Sequence, residues 1–234
     1  MTAESTGKPE ALVTGASSGI GAATCRKLRE HGWHVAGVAR RPSDEASVSL
    51  ELDITRLDRL EEAFRAVPHL ELLVHSAGTI RPVGPLLESD PNEWRRAVEV
   101  NLIGTYNVLR AGFAGGLASN GGRAIHITTG AATRAKPYWS AYAVSKAGAE
   151  HLVRSAAADL GDNGCAVCAL DPGITETAMQ EEVRTLDFPD RERFVRAYEE
   201  GTSRSPEEVA AAVCELARRE PEALNGRTFL VGAL

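Results

Sequence analysis

A glycine-rich turn between an apolar run and an amphipathic segment constrains this chain more than any other feature. The run Ala11–Thr14 leads into the turn, and the segment that follows has the pattern of a helix over Ile20–Glu30. Glycines stand between them at Gly15, Gly19 and Gly21, in the spacing G-x-x-x-G-x-G rather than the common G-x-G-x-x-G. Such glycines let a backbone bend tightly and approach a pyrophosphate at a helix N-terminus. The turn predicts a dinucleotide site in preference to a plain strand–turn–helix corner.

Strand and helix patterns alternate along the chain, which predicts an α/β fold: one doubly wound parallel sheet of about seven strands with helices on both faces. The predicted strands are Ala11–Thr14, His34–Ala39, Ser47–Leu50, Leu70–His75, Arg123–Thr128, Ala166–Leu170 and Thr228–Val231. The predicted helices are Ile20–Glu30, Leu57–Val67, Pro91–Leu117, Trp139–Leu160 and Pro206–Arg218. Ser205 is the expected N-cap of the last helix, and Glu208 closes a capping box. With no repeat or linker, residues 1–234 are expected to form one domain.

Charge and composition limit the partners. The formal net charge of −6 gives no basic surface of the kind that binds nucleic acid. Residues 1–9 are polar and lack an apolar signal core, and no apolar stretch is long enough to span a bilayer, so we expect a soluble, cytoplasmic protein. Cys165 and Cys168 lie in or beside a predicted buried strand without a second Cys/His cluster. They are expected to be inert core thiols, and no metal site is predicted.

A tyrosine and a lysine stand four residues apart in Tyr142-Ala143-Val144-Ser145-Lys146. On a helix this spacing puts both side chains on one face, with about 5–6 Å between their β-carbons. A phenol normally has a pKa of about 10, and a neighbouring ammonium favours its ionised form. The pair alone also fits an ordinary solvated helix.

The glycine turn and the Tyr–Lys pair together resemble the short-chain dehydrogenase/reductase family, over about Glu10 to Gly232. The resemblance implies a Rossmann-like fold, a nicotinamide dinucleotide cofactor, and catalysis by Tyr142 and Lys146, which would also bind the cofactor. It further implies a mobile substrate-covering insert at about residues 176–205. The turn residues it assigns to the cofactor, after the matching Thr14, are Gly15, Ser17, Ser18, Gly19, Ile20 and Gly21.

The end of the predicted second strand bears on which cofactor binds. An acid at this place holds the ribose of NAD, whereas an arginine there accommodates the 2′-phosphate of NADP. Here Ala39 stands in the acid's place, followed by Arg40 and Arg41. The planar fork of Arg40 suits a phosphate, so we predict NADP(H) rather than NAD(H), although Ser18 stands where some NADP-dependent relatives carry a basic residue.

Further cofactor contacts follow from the resemblance. Asp53 would address the adenine, although its chemistry equally fits an N-cap for the following helix. The remaining implied contacts are Ile54 beside it, Ala77 and Gly78 at the ribose, and Pro172, Gly173, Thr175 and Thr177 around the nicotinamide carboxamide.

The resemblance also completes the catalytic set. Asn101 matches the asparagine that kinks its helix and supports a proton relay to the lysine. The family has a serine thirteen residues before the tyrosine, where this chain has Thr129. A threonine keeps the hydroxyl but adds a methyl group that stiffens the side chain. We therefore predict Thr129 as the substitute, and Thr128 as the second choice.

Two polar residues depart from the family pattern after the predicted fourth strand. His75 and Ser76 stand where the family commonly has two asparagines, so it is open whether the sheet is braced there as the amides would brace it. We expect His75 to be a hydrogen-bonded strand-end histidine rather than a catalytic one.

These features predict an NADP(H)-dependent oxidoreductase that reduces a ketone or aldehyde of a small molecule, with Tyr142 as general acid. The alternatives are a catalytically impaired dinucleotide-binding sensor or scaffold and, ranked lower, a sugar epimerase or dehydratase. A homodimer or homotetramer is expected, paired through the helices predicted at Pro91–Leu117 and Trp139–Leu160.

The substrate itself is not predicted. Tyr138, Trp139, Met179 and Val83 are candidates for an apolar pocket, or for ordinary packing. Three cations flank the site: Arg81, Arg134 and Lys136. They are candidates for binding an acidic group, but we expect each to be a solvated loop charge.

Overall fold

The computed structural model describes residues 7–65, 67–160 and 164–234, which form a seven-stranded sheet flanked by helices. The strands are β1 (Glu10–Thr14), β2 (His34–Ala39), β3 (Val48–Glu51), β4 (Leu70–His75), β5 (Arg123–Ile127), β6 (Ala166–Asp171) and β7 (Thr228–Leu230). The α-helices are α1 (Gly19–Glu30), α2 (Leu57–Phe64), α3 (Pro91–Val98), α4 (Gly104–Gly112), α5 (Ser140–Leu160), α6 (Ala178–Thr185), α7 (Arg191–Glu199), α8 (Pro206–Leu216) and α9 (Pro221–Leu224).

The sheet is parallel throughout, in the order β3-β2-β1-β4-β5-β6-β7. From β1 the chain winds outward through β2 to β3, then returns to the other side of β1 at β4 and winds the opposite way to β7. This reversal leaves a crevice at the carboxyl ends of β1 and β4, where ligands bind in open α/β sheets. The predicted Rossmann-like fold is confirmed, and the glycine turn after β1 opens onto this crevice.

Apolar side chains fill both faces of the sheet. Along β1, Ala11 and Val13 belong to the layer beneath α1 and α8, whereas Leu12 belongs to the layer beneath α2, α4 and α5. The pleat of a strand sends alternate side chains to opposite faces, so an almost uninterrupted apolar strand must be covered on both. Among the described residues, no helix combines the length and apolar character that crossing a bilayer requires.

Most predicted boundaries agree with the observed ones to within a few residues, which is the usual uncertainty of helix ends. The capping box of α8 is present: the Glu208 amide donates to Ser205 Oγ, and Ser205 N donates to Glu208 Oε2 at 2.7 Å. The four cysteines are all buried and unpaired, as expected for core thiols.

The long helix predicted over Pro91–Leu117 is wrong, because it is interrupted twice. A wide π-type turn, Glu99–Ile103, separates α3 from α4, and a second one follows α4 at Phe113–Leu117. In the first, Thr105 Oγ1 donates to the Asn101 carbonyl at 2.6 Å, and a side chain that enters the helical ladder in this way distorts it. In the second, Gly116 has a φ of +111°, which lies outside the helical region.

The segment over residues 176–205 has more regular structure than its polar pattern indicates. Helices α6 and α7 lie within it, and each is amphipathic over only eight or nine residues. Val183 and Phe194 are their buried anchors. Sequence analysis missed both helices because so few apolar residues carry the helical period.

We predict that Gly21→Ala destabilises the protein. A β-carbon at Gly21 would lie 2.2 Å from the Gly15 carbonyl oxygen, so the turn and α1 would have to move apart. Overpacking of this kind costs about 1–3 kcal/mol of unfolding free energy. Urea denaturation measures it. Gly84→Ala is the control, because its nearest neighbour would lie at 4.0 Å; equal effects of the two changes would contradict the prediction.

Candidate active site

A cavity of about 590 Å³ opens at the carboxyl ends of the central strands. Most of the residues predicted to bind the cofactor or to act in catalysis line it. They are Gly15, Ser18, Gly19, Ile20, Ala77, Gly78, Thr129, Tyr142, Lys146, Pro172, Gly173, Thr175 and Thr177. The predicted residues outside its lining are Ser17, Gly21, Arg40, Arg41, Asp53, Ile54 and Asn101.

The glycine turn forms a cradle of backbone at one end of the cavity. Gly15 has a φ of +70°, and a β-carbon there would lie 2.9 Å from Ala77 N. Across the cavity, a β-carbon at Gly19 would lie 3.0 Å from Thr177 Cγ2. Ser18, which precedes α1, makes no side-chain hydrogen bond to the first turn of that helix. Bare backbone facing a helix start fits a dinucleotide pyrophosphate.

Tyr142 and Lys146 lie on α5, and both side chains are buried. Burial raises the pKa of Tyr142 to about 12; a hydrogen bond with Thr129 acts in the opposite direction, and the charge of Asp171 adds to the rise. Burial also lowers the pKa of Lys146 to about 8. The ammonium donates to the Ile127 carbonyl at 2.7 Å. The phenol therefore keeps its proton at neutral pH, which suits a general acid.

The two candidate threonines differ in what their hydroxyls contact. Thr128 Oγ1 donates to Glu150 Oε2 at 2.9 Å. Thr129 caps the short helical turn after β5, where its Oγ1 accepts from Ala131 N at 3.3 Å, and its side chain is the one that opposes the rise in the pKa of Tyr142. The structure therefore brings Thr129, rather than Thr128, to the phenol.

Asn101 holds two segments of the site together from the distorted turn between α3 and α4. Its Oδ1 accepts from Thr79 N at 2.8 Å, and its Nδ2 donates to Thr79 O at 2.9 Å and to Ser145 Oγ at 3.0 Å. A β-carbon at Gly78 would meet both Asn101 Oδ1 and Lys146 Nζ, at 3.1 and 3.8 Å. Sequence analysis missed Ser145, although it stands between the tyrosine and the lysine.

His75 links β1, β4 and α4 through hydrogen bonds whose directions are fixed. The Thr14 hydroxyl accepts from Ser76 N and Ala77 N, so its one hydrogen is left for His75 Nδ1 at 2.6 Å. His75 Nε2–H then donates to Thr105 Oγ1 at 3.0 Å, since the Thr105 hydrogen goes to the Asn101 carbonyl. The neutral imidazole thus braces the sheet, and His75 is a hydrogen-bonded strand-end histidine as expected.

A second buried histidine, His126, stacks on His75 with 5.2 Å between ring centroids. Burial lowers the pKa of His75 to about 3, and the positive charge of Lys146 contributes. Burial, together with Lys146 and His75, lowers the pKa of His126 well below its usual value. Both imidazoles are therefore neutral in the folded protein.

The residues assigned to the adenine end lie apart from the cavity. Arg40 and Arg41 are exposed after β2. Asp53 is not an N-cap: its Oδ1 accepts from the Thr55 backbone and hydroxyl, while α2 begins after Arg56. Its other oxygen pairs with Arg96 at 2.9 Å.

A cluster of aromatic rings closes the other end of the cavity. The Trp139 ring centroid lies 5.8 Å from that of Tyr142, 5.5 Å from that of Phe188 and 5.4 Å from that of Phe194. Of the four predicted pocket residues, Trp139 and Met179 line the cavity, while Val83 and Tyr138 pack against the cluster.

A doubly wound sheet, a backbone cradle at its switch point and a buried tyrosine–lysine pair define a nicotinamide-dependent oxidoreductase. Residues 15–233 match a family model described as Enoyl-(Acyl carrier protein) reductase. The chain belongs to the short-chain dehydrogenase/reductase family.

Individual relatives agree with this assignment. The cis-4-hydroxycyclohexanecarboxylate dehydrogenase of Sinomonas cyclohexanicum is 31% identical over 239 residues, covering 96% of this chain and 92% of the relative. The benzil reductase ((S)-benzoin forming) of Bacillus subtilis is 29% identical over 236 residues, covering 93% and 96%. Among solved structures, a variant of actinorhodin polyketide ketoreductase with NADPH superimposes with a TM-score of 0.84 at 27% identity, covering 96% of both chains. These relatives are dehydrogenases and reductases, as expected for an oxidoreductase that acts on small molecules.

We predict that His75 makes the protein less stable in acid. Its pKa is about 3 when folded and about 6.5 when unfolded, so between these values the unfolded chain binds a proton that the folded protein excludes. Stability is complete above the unfolded pKa and falls as the pH drops through this window, by about 2 kcal/mol at roughly pH 5.

Urea denaturation at roughly pH 8 and pH 5 measures this loss. The control is His75→Asn, which keeps a polar side chain but cannot titrate. The loss between the two pH values should be smaller in the variant by about 2 kcal/mol. An equal loss in both proteins would show that His75 is not the titrating group.

Proposed function

We propose that this protein is an NADP(H)-dependent reductase that converts a ketone or aldehyde of a small molecule to an alcohol. The observation that carries the proposal is the buried Tyr142 phenol, whose pKa of about 12 keeps a transferable proton inside the cavity at neutral pH. The same groups would serve alcohol oxidation in the reverse direction, and the preference for reduction rests on the proposed NADP(H) cofactor.

The chain's own groups provide the steps other than hydride transfer. The glycine turn and the segment from Pro172 to Thr177 would hold NADPH, which would supply the hydride. Thr129 hydrogen-bonds the substrate carbonyl oxygen, and Tyr142 donates its O–H proton to that oxygen as negative charge develops there. Lys146, four residues after Tyr142 on α5, binds the ribose through its positively charged ammonium. Asn101 holds Thr79 and Ser145 in place and supports the return of a proton to Tyr142.

The preference for NADP(H) rests on the end of β2. Ala39 offers no carboxylate to a ribose, and Arg40 and Arg41 are exposed beyond it. Within the described ranges neither arginine forms an ion pair, so both are free to contact a 2′-phosphate. Asp53 remains the proposed adenine contact, held in place by Thr55 and Arg96.

Catalysis is favoured over a sensor or scaffold role. The departure that motivated the sensor hypothesis, a threonine in place of the serine, still delivers a hydroxyl to Tyr142. The other departure, His75, provides the bracing that the usual amides would give.

The assembly and architecture of the protein are also part of the proposal. Ile103, Tyr106 and Val144 are exposed apolar side chains on and beside α4 and on α5, which supports a homodimer or homotetramer paired through these helices. We assign residues 1–234 to one catalytic domain, with the segment over residues 176–205 covering the substrate. Four unpaired thiols support a cytoplasmic location.

We predict that Tyr142→Phe removes nearly all turnover, because the proton donor is lost while the ring remains. Loss of a positioned general acid lowers the rate by about 10²–10⁴-fold. The measurement is the fall in reduced-nicotinamide absorbance with ketones, aldehydes and α-diketones, alongside fluorescence titration of NADPH binding. Binding should change little.

Tyr198→Phe is the matched control for this change, because Tyr198 is an exposed tyrosine outside the cavity lining. It should reduce the substrates at the wild-type rate. Turnover retained in Tyr142→Phe would refute the proposed acid.

We predict that Arg40→Gln raises the KM for NADPH by about tenfold or more and leaves the KM for NADH nearly unchanged, because one charge-assisted bond to the 2′-phosphate is lost. Steady-state kinetics with both cofactors measure the change. Arg65→Gln, another exposed arginine after α2, is the control. A wild-type preference for NADH would contradict the assignment of Arg40.

A further inference from the structure

The cavity is lined by three cations that have no role in the proposed reduction. Arg134 and Lys136 lie in the segment between β5 and α5, and Arg193 lies on α7. All three line the same cavity as Tyr142. They stand at its aromatic end, away from the glycine cradle.

Arg193 and Arg134 both lie close enough to Lys136 to repel its positive charge. The pKa of Lys136 is lowered first by burial and then by Arg193, with a smaller contribution from Arg134; Asp190 is the acid that opposes these effects. Of the charged groups that shift the pKa of Lys136, two are cations and one is an acid, so the surroundings of Lys136 are positive on balance.

The lack of ion pairs distinguishes this group from its neighbours. In the segment over residues 176–205, which carries Arg193, Arg184 pairs with Glu176 and Arg191 pairs with Glu192. In the part of the chain that the structure describes, the side chains of Arg134 and Arg193 make neither a hydrogen bond nor an ion pair, although the Arg193 amide donates to the Asp190 carbonyl. Their donors therefore remain available to an anion in the cavity.

Aromatic side chains line the cavity between these cations and Tyr142, the proposed general acid. Lys136 Nζ lies 5.2 Å from the ring centroids of both Trp139 and Phe194. The Trp139 ring in turn meets the Tyr142 ring in an edge contact. One aromatic side chain thus separates the ammonium from the phenol. Trp139 Nε1 is buried and has no hydrogen-bond partner within the described residues, which leaves one more donor on this wall.

We propose that the substrate is a ketone or aldehyde with a compact apolar or aromatic body and a carboxylate at the end opposite to its carbonyl. The carboxylate binds to Arg134, Lys136 and Arg193, while the body lies against Trp139 and Phe194. This inference rests on the proposed reductase function. From the sequence, solvated loop charges were preferred for Arg134 and Lys136 over a role in binding an acidic group, and Arg193 was missed because α7 was missed.

Matched substrates test the charge requirement. The kcat/KM values for para-formylbenzoate and for its methyl ester are compared, with NADPH and with NADH. The acid should be preferred by about tenfold or more, because charge-assisted hydrogen bonds to its carboxylate are worth at least this factor. The preference should weaken at high salt.

Variants identify the groups responsible. Each cation is removed in turn, by Arg134→Gln, Arg193→Gln and Lys136→Met. Methionine is chosen at position 136 because it keeps the apolar stem against the rings. Each change should lower kcat/KM for the acid and leave kcat/KM for the ester within about twofold of the wild-type value. Arg196→Gln is the control, because Arg196 lies on α7 but outside this cavity lining. Equal values for acid and ester in the wild type would overturn the inference and leave the reductase proposal standing.

A binding measurement separates the two proposals if neither aldehyde is reduced. Calorimetry follows the alcohol, para-hydroxymethylbenzoate, and its methyl ester binding to the protein with NADP⁺. Tighter binding of the acid, lost when all three cations are replaced, would support the anion site even though the reductase proposal had failed. No difference between acid and ester would overturn the anion site.

Discussion

At the centre of the sheet, two backbone segments approach so closely that no side chain fits between them. A β-carbon at Gly15 would lie 2.9 Å from Ala77 N, and the Thr14 hydroxyl bonds the amides of Ser76 and Ala77 at the same place. The winding of the sheet reverses between β1 and β4. This contact therefore lies where the two central strands pair, and it also forms part of the cavity wall. A change that widens it would alter the fold and the cofactor cradle together. The bracing by His75 has the same double effect, since it ties β1 and β4 to the turn that carries Asn101.

Burial sets the chemistry of the site more than the pairing of charges does. Taking a group out of water disfavours its charged form, so the same environment raises the pKa of Tyr142 and lowers that of Lys146. Placing Tyr and Lys on one helical face led us to expect the ammonium to act mainly on the phenol. In the structure the ammonium is held by the Ile127 carbonyl, and Thr129 is the neighbour that opposes the rise in the phenol's pKa. In the protein without ligands the phenol is therefore protonated at neutral pH.

The features predicted from sequence are those encoded locally. The glycine turn, the tyrosine–lysine spacing and the capping box of Ser205 and Glu208 each depend on residues within one or two turns of chain. The family resemblance implied a kink at Asn101, but the predicted helix was still drawn through it, because a periodicity does not show the Thr105 hydroxyl entering the helical ladder. Helices α6 and α7 lie in a segment whose Phe194 packs against Trp139, a residue far away along the chain. The bracing role of His75 was left open for the same reason, because Thr14 and Thr105 are distant partners.

The two ends of the cavity are built by different means, and this has a consequence for specificity. The cofactor end is backbone: close approaches at Gly15 and Gly19 require the absence of a side chain, so few sequences satisfy them. The proposed substrate end is made of side chains on short segments, where rings stack and where three cations have no ion pair among the described residues. Exchanging a cation there changes the charge of the pocket without disturbing the sheet, because none of the three belongs to a strand or to its apolar layers. One hydride-transfer apparatus can therefore serve different carbonyl substrates, with the choice made by residues that the fold does not need.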